Sequence, residues 1–419
     1  MTRHSKLLRI LGPGLITGAA DDDPSGIATY SQAGAAYGFG QLWTIVLCLP
    51  LMIAVQEACA RIGAATSQGL VTVTGRLYSK KILAAVVGLV VVANVINIGA
   101  DFAAVGASLN LLIPLPIPIL STIFMLVVLG LEIFIGYHTY AKFLKFLSLA
   151  LISYVAVALI VTNNWVEVFK ATFIPQLQWT PAYWYVIVAV LGTTISPYMF
   201  FWQSAEEVEE SNYAATHHTK RRDIKEIRQD TAIGMGISQL GSWFMIITAA
   251  VVLHENGVTS IGTAADAAKA LEPLVQGFPH AGTLAKLLFA IGVIGMGLLG
   301  IPVLAGSVAY AVSDAFGWRE GLDYKLKQAK QFYGVIIFST VLGWMITMIG
   351  IDPIKSLVFA AVINGLVAVP LIFLIASISR NHEVMGDLSG KRLSRTMLNI
   401  AFILMFLCAL ILIATTIFS

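Results

Sequence analysis

The sequence predicts an all-α polytopic membrane protein with two inverted five-helix repeats and an eleventh helix, in which helices 1 and 6 are discontinuous. Three observations predict it. Of the 419 residues, 58% are hydrophobic and only 12% are charged, where soluble domains carry roughly a quarter charged residues. Eleven apolar stretches are long enough to cross a bilayer, which takes about 20 residues each. Two prolines, Pro24 and Pro197, fall in mid-stretch five stretches apart. Helices five apart run in opposite directions, so the two breaks are related by an inversion. Residues 1–419 read as one transmembrane domain: repeat one about 8–163, repeat two about 183–379, extra helix about 396–418. No soluble domain fits between them.

The first stretch, 8–37, opens on Arg3, Lys6 and Arg9 and passes Gly18-Ala19-Ala20, which imitates a cleavable signal. Pro13 interrupts that imitation, and a second apolar half resumes just past Pro24. The stretch is therefore expected to remain and to span the membrane as two half-helices. Stretches 41–63, 82–112, 116–137 and 142–163 complete the first repeat. In 183–205, the run VLGTTISPYMFFWQS sets Ser196-Pro197 in mid-span. Proline there removes an intrahelical hydrogen bond and bares carbonyl oxygens upstream. Stretches 231–254, 283–313, 331–350 and 354–379 finish the second repeat, with longer loops at 206–230 and 255–282; 396–418 is peripheral.

Basic residues set the direction. With the N-terminus cytoplasmic and the C-terminus outside, only Lys170, Lys269, Lys286 and Lys355 of the 26 Lys and Arg face outward. A miscounted span would scramble that bias. The cluster from Lys220 to Arg228 follows from the same topology, so no nucleic-acid partner is expected. An inner (plasma) membrane location and a lipid-bilayer environment are expected; oligomeric state is left open. Cys48, Cys59 and Cys408 sit in apolar stretches without ligand spacing and read as small buried residues. No nucleophile–base pair, HExxH or phosphate-binding loop is present, so neither an enzyme nor a cofactor is expected.

Chemistry concentrates in the first stretch, ITGAADDDPSGIATYSQAGAA. A carboxylate in mid-membrane is expensive and marks a function. Joined to a proline break, it has the form of a cation site. Asp23, directly before Pro24, is the leading candidate for contact with a metal ion, and the unwound turn frees the Ala20 carbonyl. Such hard oxygens suit Mg²⁺, Ca²⁺ or Mn²⁺. Asp22 can reach the site or its approach; Asp21 can do so or be paired structurally. Thr193 and Ser196 offer oxygens from the sixth helix, or bond helix to helix. Asp101 in the third stretch is a proton shuttle, an electrostatic attractor or a bundle partner, and Asn364 offers one more oxygen. Glu57 and Glu132 read as interfacial pairing residues, and His138, His217 and His218 as solvated loop residues.

The run DPSGIATYSQAGAAYGFGQLW resembles the first-helix signature of the NRAMP family of divalent-metal transporters, D-P-G-N-W-A-T-D-x-Q-A-G-A. The likeness continues through QEACARIG, GADFAAVGASLNLL and GTTISPYMFFWQS, where the family has A-x-x-M-P-H. The resemblance implies a LeuT-type fold of eleven or twelve helices and a single transport domain. It carries over the family's aspartate as Asp23, its carbonyl-donating alanine as Ala20 and its third-helix aspartate as Asp101. The departures are informative. The asparagine ligand is Gly26, the sixth-helix alanine Thr193, the methionine ligand Ser196, the histidine Tyr198 and the third-helix glutamate Ala104.

Thioether sulfur favours softer transition metals, so its loss removes discrimination against Mg²⁺. Asn-to-Gly and Met-to-Ser exchanges vacate volume, which suits an ion that keeps part of its water shell. Tyr198 on the proton or electrostatic pathway is a poor relay, with a phenol pKa near 10. These departures resemble the NRAMP-related magnesium transporters. The expected function is import of divalent cations, Mg²⁺ foremost and Mn²⁺, by alternating access with weak or no proton coupling. The alternatives are a proton-coupled Mn²⁺/Fe²⁺ importer and an organic-cation or amino-acid carrier of the same fold.

Overall fold

Both proline breaks are present, and they position everything else. The structure, a computed structural model, describes residues 13–135, 152–216, 224–322 and 324–418. Helices α1 (Pro13–Asp21) and α2 (Pro24–Tyr37) are separated by Asp22 and Asp23. Helices α9 (Pro181–Thr194) and α10 (Pro197–Thr216) are separated by Ile195 and Ser196. In each pair a proline opens the second half-helix, where its missing N–H would have had no partner anyway. Asp23 adds an N-cap: its side chain accepts from the Gly26 N–H at 2.9 Å, satisfying one of the free donors of α2.

Between the breaks lie α3 (Trp43–Thr66), α4 (Leu70–Leu77), α5 (Lys80–Asn110), α6 (Ile117–Phe134), α7 (Ile152–Val161) and α8 (Trp165–Phe173). After them come α11 (Ile224–Val252), α12 (Ala264–Lys269), α13 (Ala281–Phe316), α14 (Lys330–Thr347), α15 (Pro353–Arg380), α16 (His382–Met385) and α17 (Arg392–Phe418). Among the described residues, 8 helices are long and apolar enough to cross a membrane, the Pro181–Ser211 run counting as one. Stretch 331–350 forms the 18-residue α14, outside that set. Part of stretch 142–163, the N-terminal basic residues, His138, His217 and His218 lie outside the described residues. The segment read as a loop at 255–282 carries the short helix α12, started by Thr263, whose hydroxyl accepts from the Asp266 N–H.

Half-helix α1 lies against α11, and α2 against α11 and α9; α5 packs on α13, α14 and α15. Glycines allow the closest approaches. A Cβ on Gly18 would stand 2.4 Å from the Gly234 carbonyl of α11, and one on Gly192 would stand 2.0 Å from the Ala361 oxygen of α15. Small residues let helix backbones meet in this way where lipid offers no hydrophobic drive. The cysteines are buried and unbridged.

Charges gather at one end of the bundle. Buried Arg61 of α3 binds Glu57 at 3.0 Å, the Leu388 carbonyl at 2.7 Å and the Ser379 hydroxyl at 3.0 Å. Arg228 reaches the same Glu57 at 2.8 Å. Past the end of α13, Glu320 is held up at about 10 by burial, by Asp314 and by Glu209. Between its ordinary range and that value the folded chain keeps a proton that the unfolded chain has released. Stability therefore falls as pH rises across that window, by at most about 1.4 kcal/mol per pH unit. Melting temperatures from pH 6 to 9 should decline in the wild type and flatten in Glu320→Gln.

Candidate metal centre between the broken helices

The two breaks meet through hydroxyls. Asp23 Oδ1 accepts from Ser25 Oγ at 2.6 Å. Ser25 Oγ lies 3.3 Å from Thr193 Oγ1. The single Ser25 proton is already given to Asp23, so Thr193 is the donor across the gap. Gly26, between them, has no side chain: a Cβ there would stand 3.5 Å from Thr193 Oγ1 and 3.2 Å from the Asp21 carbonyl.

On its other side Asp23 faces α5. Asn97 Nδ2 donates to Asp23 Oδ2 at 3.0 Å and to Asp101 Oδ2 at 3.4 Å. Asn97 and Asp101 are one turn apart and share a face. Asn364 of α15 donates to Asn97 Oδ1 at 3.1 Å. Asp101 Oδ1 and Asn364 Oδ1 are buried and accept no hydrogen bond. Gly300 of α13 closes this side, since a Cβ on it would come 3.0 Å from the Asp23 Cβ and 3.9 Å from Asp101 Oδ2.

The break sorts its three aspartates by direction. Ser238 of α11 donates to Asp21 at 2.6 Å, and Ser242, one turn on, to Asp22 at 3.3 Å. Asp22, expected at the ion, thus has its carboxylate engaged on α11 while Asp23 turns toward α5. The one hydroxyl proton of Ser196 is shared between the Gly192 and Thr193 carbonyls, at 2.6 and 2.8 Å, oxygens that the break bares. Tyr198 donates to the Ala20 carbonyl at 3.0 Å and thereby occupies the expected backbone ligand.

Asp21, Asp22, Asp23 and Asp101 are all buried. Among the described residues no Lys, Arg or His lies within ion-pair distance of them. Buried carboxylates without a counter-charge call for a cation or a proton. Among the described residues no three His, Cys, Asp or Glu side chains converge as a metal cage. An ion at Asp23 would therefore take neutral oxygens and its own water as further ligands. On one side of Pro24 lies a largely apolar plug that includes Ile27, Phe289, Ile354 and Leu357, with Ser108 beside them, around a void of about 10 Å³. Beyond Ile261 and Ile354 opens a cavity of about 500 Å³ reaching Gln32 and Lys355.

Sequence reading missed Asn97, Ser25, Ser238 and Ser242. Asn97 had a usable signal: a mid-span amide four residues before an aspartate lies on the same helical face. The serines had none, because hydroxyls are common helix–helix glue.

The sequence profile of the Nramp family (natural resistance-associated macrophage protein-like) matches residues 14–415. The chain belongs to the Nramp family. It is 27% identical over 398 residues to the divalent metal cation transporter MntH of Klebsiella pneumoniae (strain 342), covering 92% of this chain and 89% of that one. The manganese transporter of Eremococcus coleocola, in complex with an aromatic bis-isothiourea compound, superposes with a TM-score of 0.77 at 17% identity, covering 98% and 88%. MhsT in complex with L-phenylalanine gives 0.63 at 13% identity, covering 94% and 98%. The fold of this Nramp chain is thus the all-α LeuT type that the family resemblance implied.

Proposed function

We propose that this Nramp-family protein imports divalent metal cations across the inner membrane by alternating access, Mg²⁺ foremost and Mn²⁺, with weak or no proton coupling. One observation carries the reading. Every side chain named above as hydrogen-bonding between the breaks and α5 (Asp23, Ser25, Asn97, Asp101, Thr193, Ser196, Tyr198, Asn364) offers oxygen or amide, with neither thioether nor imidazole among them. Such donors suit a hard ion that keeps part of its hydration shell. Asp23 anchors the ion. Ala20, released by Tyr198, Thr193, Ser196 and the space at Gly26 complete the cradle, with Asn364 behind. The membrane potential is drive enough: about 2.3 kcal/mol per charge per 100 mV, doubled for a divalent ion. In this reading the N-terminus is cytoplasmic and the C-terminus outside, as the distribution of Lys and Arg suggests.

A proton-coupled Mn²⁺ importer is the second reading. Relatives named for divalent-metal and manganese transport favour it, as does the buried, half-satisfied Asp101. Competitive uptake of Mg²⁺ and Mn²⁺ in proteoliposomes with an internal pH reporter separates the two. Saturable Mg²⁺ uptake without acidification supports the first; acidification tracking Mn²⁺ entry without Mg²⁺ uptake replaces it with the second.

Ser196→Met tests the soft-ligand argument. It should raise the preference for Mn²⁺ or Cd²⁺ over Mg²⁺ by about tenfold, the scale of one lost or gained ligand interaction, read by competition. An unchanged ratio means that position 196 only caps α9.

A further inference from the structure

Asn97 stands where a cation would. Its amide nitrogen lies between two buried carboxylates, 3.0 Å from Asp23 Oδ2 and 3.4 Å from Asp101 Oδ2. Ionised carboxylates only accept, so the nitrogen end of the amide must face them, one N–H to each. The oxygen end is held by Asn364 Nδ2 at 3.1 Å, while Asn364's own oxygen is buried without a donor. Asn97 and Asn364 are both fully buried.

We propose that Asn97 and Asn364 form a reversible amide pair that substitutes for the ion in the empty carrier and supplies an oxygen ligand in the loaded one. This rests on the transport reading above. A divalent ion arriving at Asp23 meets two N–H groups that repel it. A half-turn of the Asn97 amide, about a terminal torsion that is broad and roughly two-fold, presents Oδ1 to the ion. The N–H groups then face Asn364, whose unpartnered Oδ1 is there to accept once that amide turns as well. The hydrogen bond between the pair survives with its direction reversed, and the bound cation takes the place of the two N–H groups that Asp23 and Asp101 give up. In the empty state the two N–H dipoles face Asp23 and Asp101, which lets the carrier return with neither metal nor basic side chain at those carboxylates.

Asn364→Asp tests this in the full-length protein. Aspartate at 364 accepts but does not donate, so it locks Asn97 in the ion-facing orientation. Binding of Mn²⁺ by titration calorimetry should tighten by about tenfold, since a nearby added charge acts in the same direction. Net uptake of radioactive Mn²⁺, which needs the empty carrier to return, should fall by about tenfold more than Mn²⁺/Mn²⁺ exchange. Asn97→Asp, which removes the donors themselves, should show the same split between net uptake and exchange and serves if the first variant does not fold. Weaker binding, or net uptake and exchange falling together, overturns the switch. If the wild type lacks saturable uptake, or Asp23→Asn retains it, the transport reading fails and the switch with it. When both controls behave as expected, parallel losses reject the switch alone.

Discussion

Replacing Asp23 with asparagine should lower metal binding and uptake by roughly a hundredfold or more, equivalent to about 3 kcal/mol, while the protein still folds, at a stability cost of about one buried hydrogen bond. Asn is chosen because Asp23 has two duties. Its Oδ1 holds the Gly26 N–H and the Ser25 hydroxyl at the start of α2, and an asparagine oxygen can keep both. Asparagine removes the charge, together with the Oδ2 acceptor of the Asn97 amide. Asp23→Ala should abolish uptake too, but it adds a lost helix cap worth about 1 kcal/mol, which blurs the cause. Tracer flux and calorimetry, with thermal melting as the folding control, separate the duties. Near-normal uptake by Asp23→Asn would leave the junction without its anchor.

Arg61→Leu should lower stability by about 3–5 kcal/mol, the cost of leaving one partner of a buried pair uncompensated. Arg61 is 1% exposed and ties α3 to the end of α15 through Ser379, to the Leu388 carbonyl, and to Ser394 at the start of α17. Glu57 keeps Arg228, which places the expected loss at the lower end of the range. A melting curve in detergent reads the effect. Arg61→Lys should recover only part of it, because an ammonium cannot reproduce the guanidinium fork toward Glu57 and its neighbours. A wild-type melting temperature in Arg61→Leu would show that the network adds nothing to stability.

The breaks were legible because proline and a capping residue leave a local mark: Asp23-Pro24 and Ser196-Pro197 both open a half-helix where expected. The long apolar helices were legible for the same kind of reason, since composition and length decide them. The direction of side chains in an unwound turn carries no such mark. Asp23 stands out in sequence only by preceding Pro24; the directions of the three side chains are not legible there, and Asp21 and Asp22 meet serines of α11 while Asp23 meets Asn97 of α5. The phenol of Tyr198, a residue expected on the proton or electrostatic pathway, holds the Ala20 carbonyl, a long-range contact that no local pattern announces. Asn97 was the avoidable omission: helical spacing alone aligns it with Asp101.

Anomalous diffraction from crystals grown with Mn²⁺ tests the central claim most directly. The predicted result is one strong peak beside the Asp23 carboxylate, within reach of both Thr193 and Asn97, at direct or one-water distance. A peak bound only by Asp21, Asp22, Ser238 and Ser242 against α11, or none at the junction in a protein that transports, would contradict it.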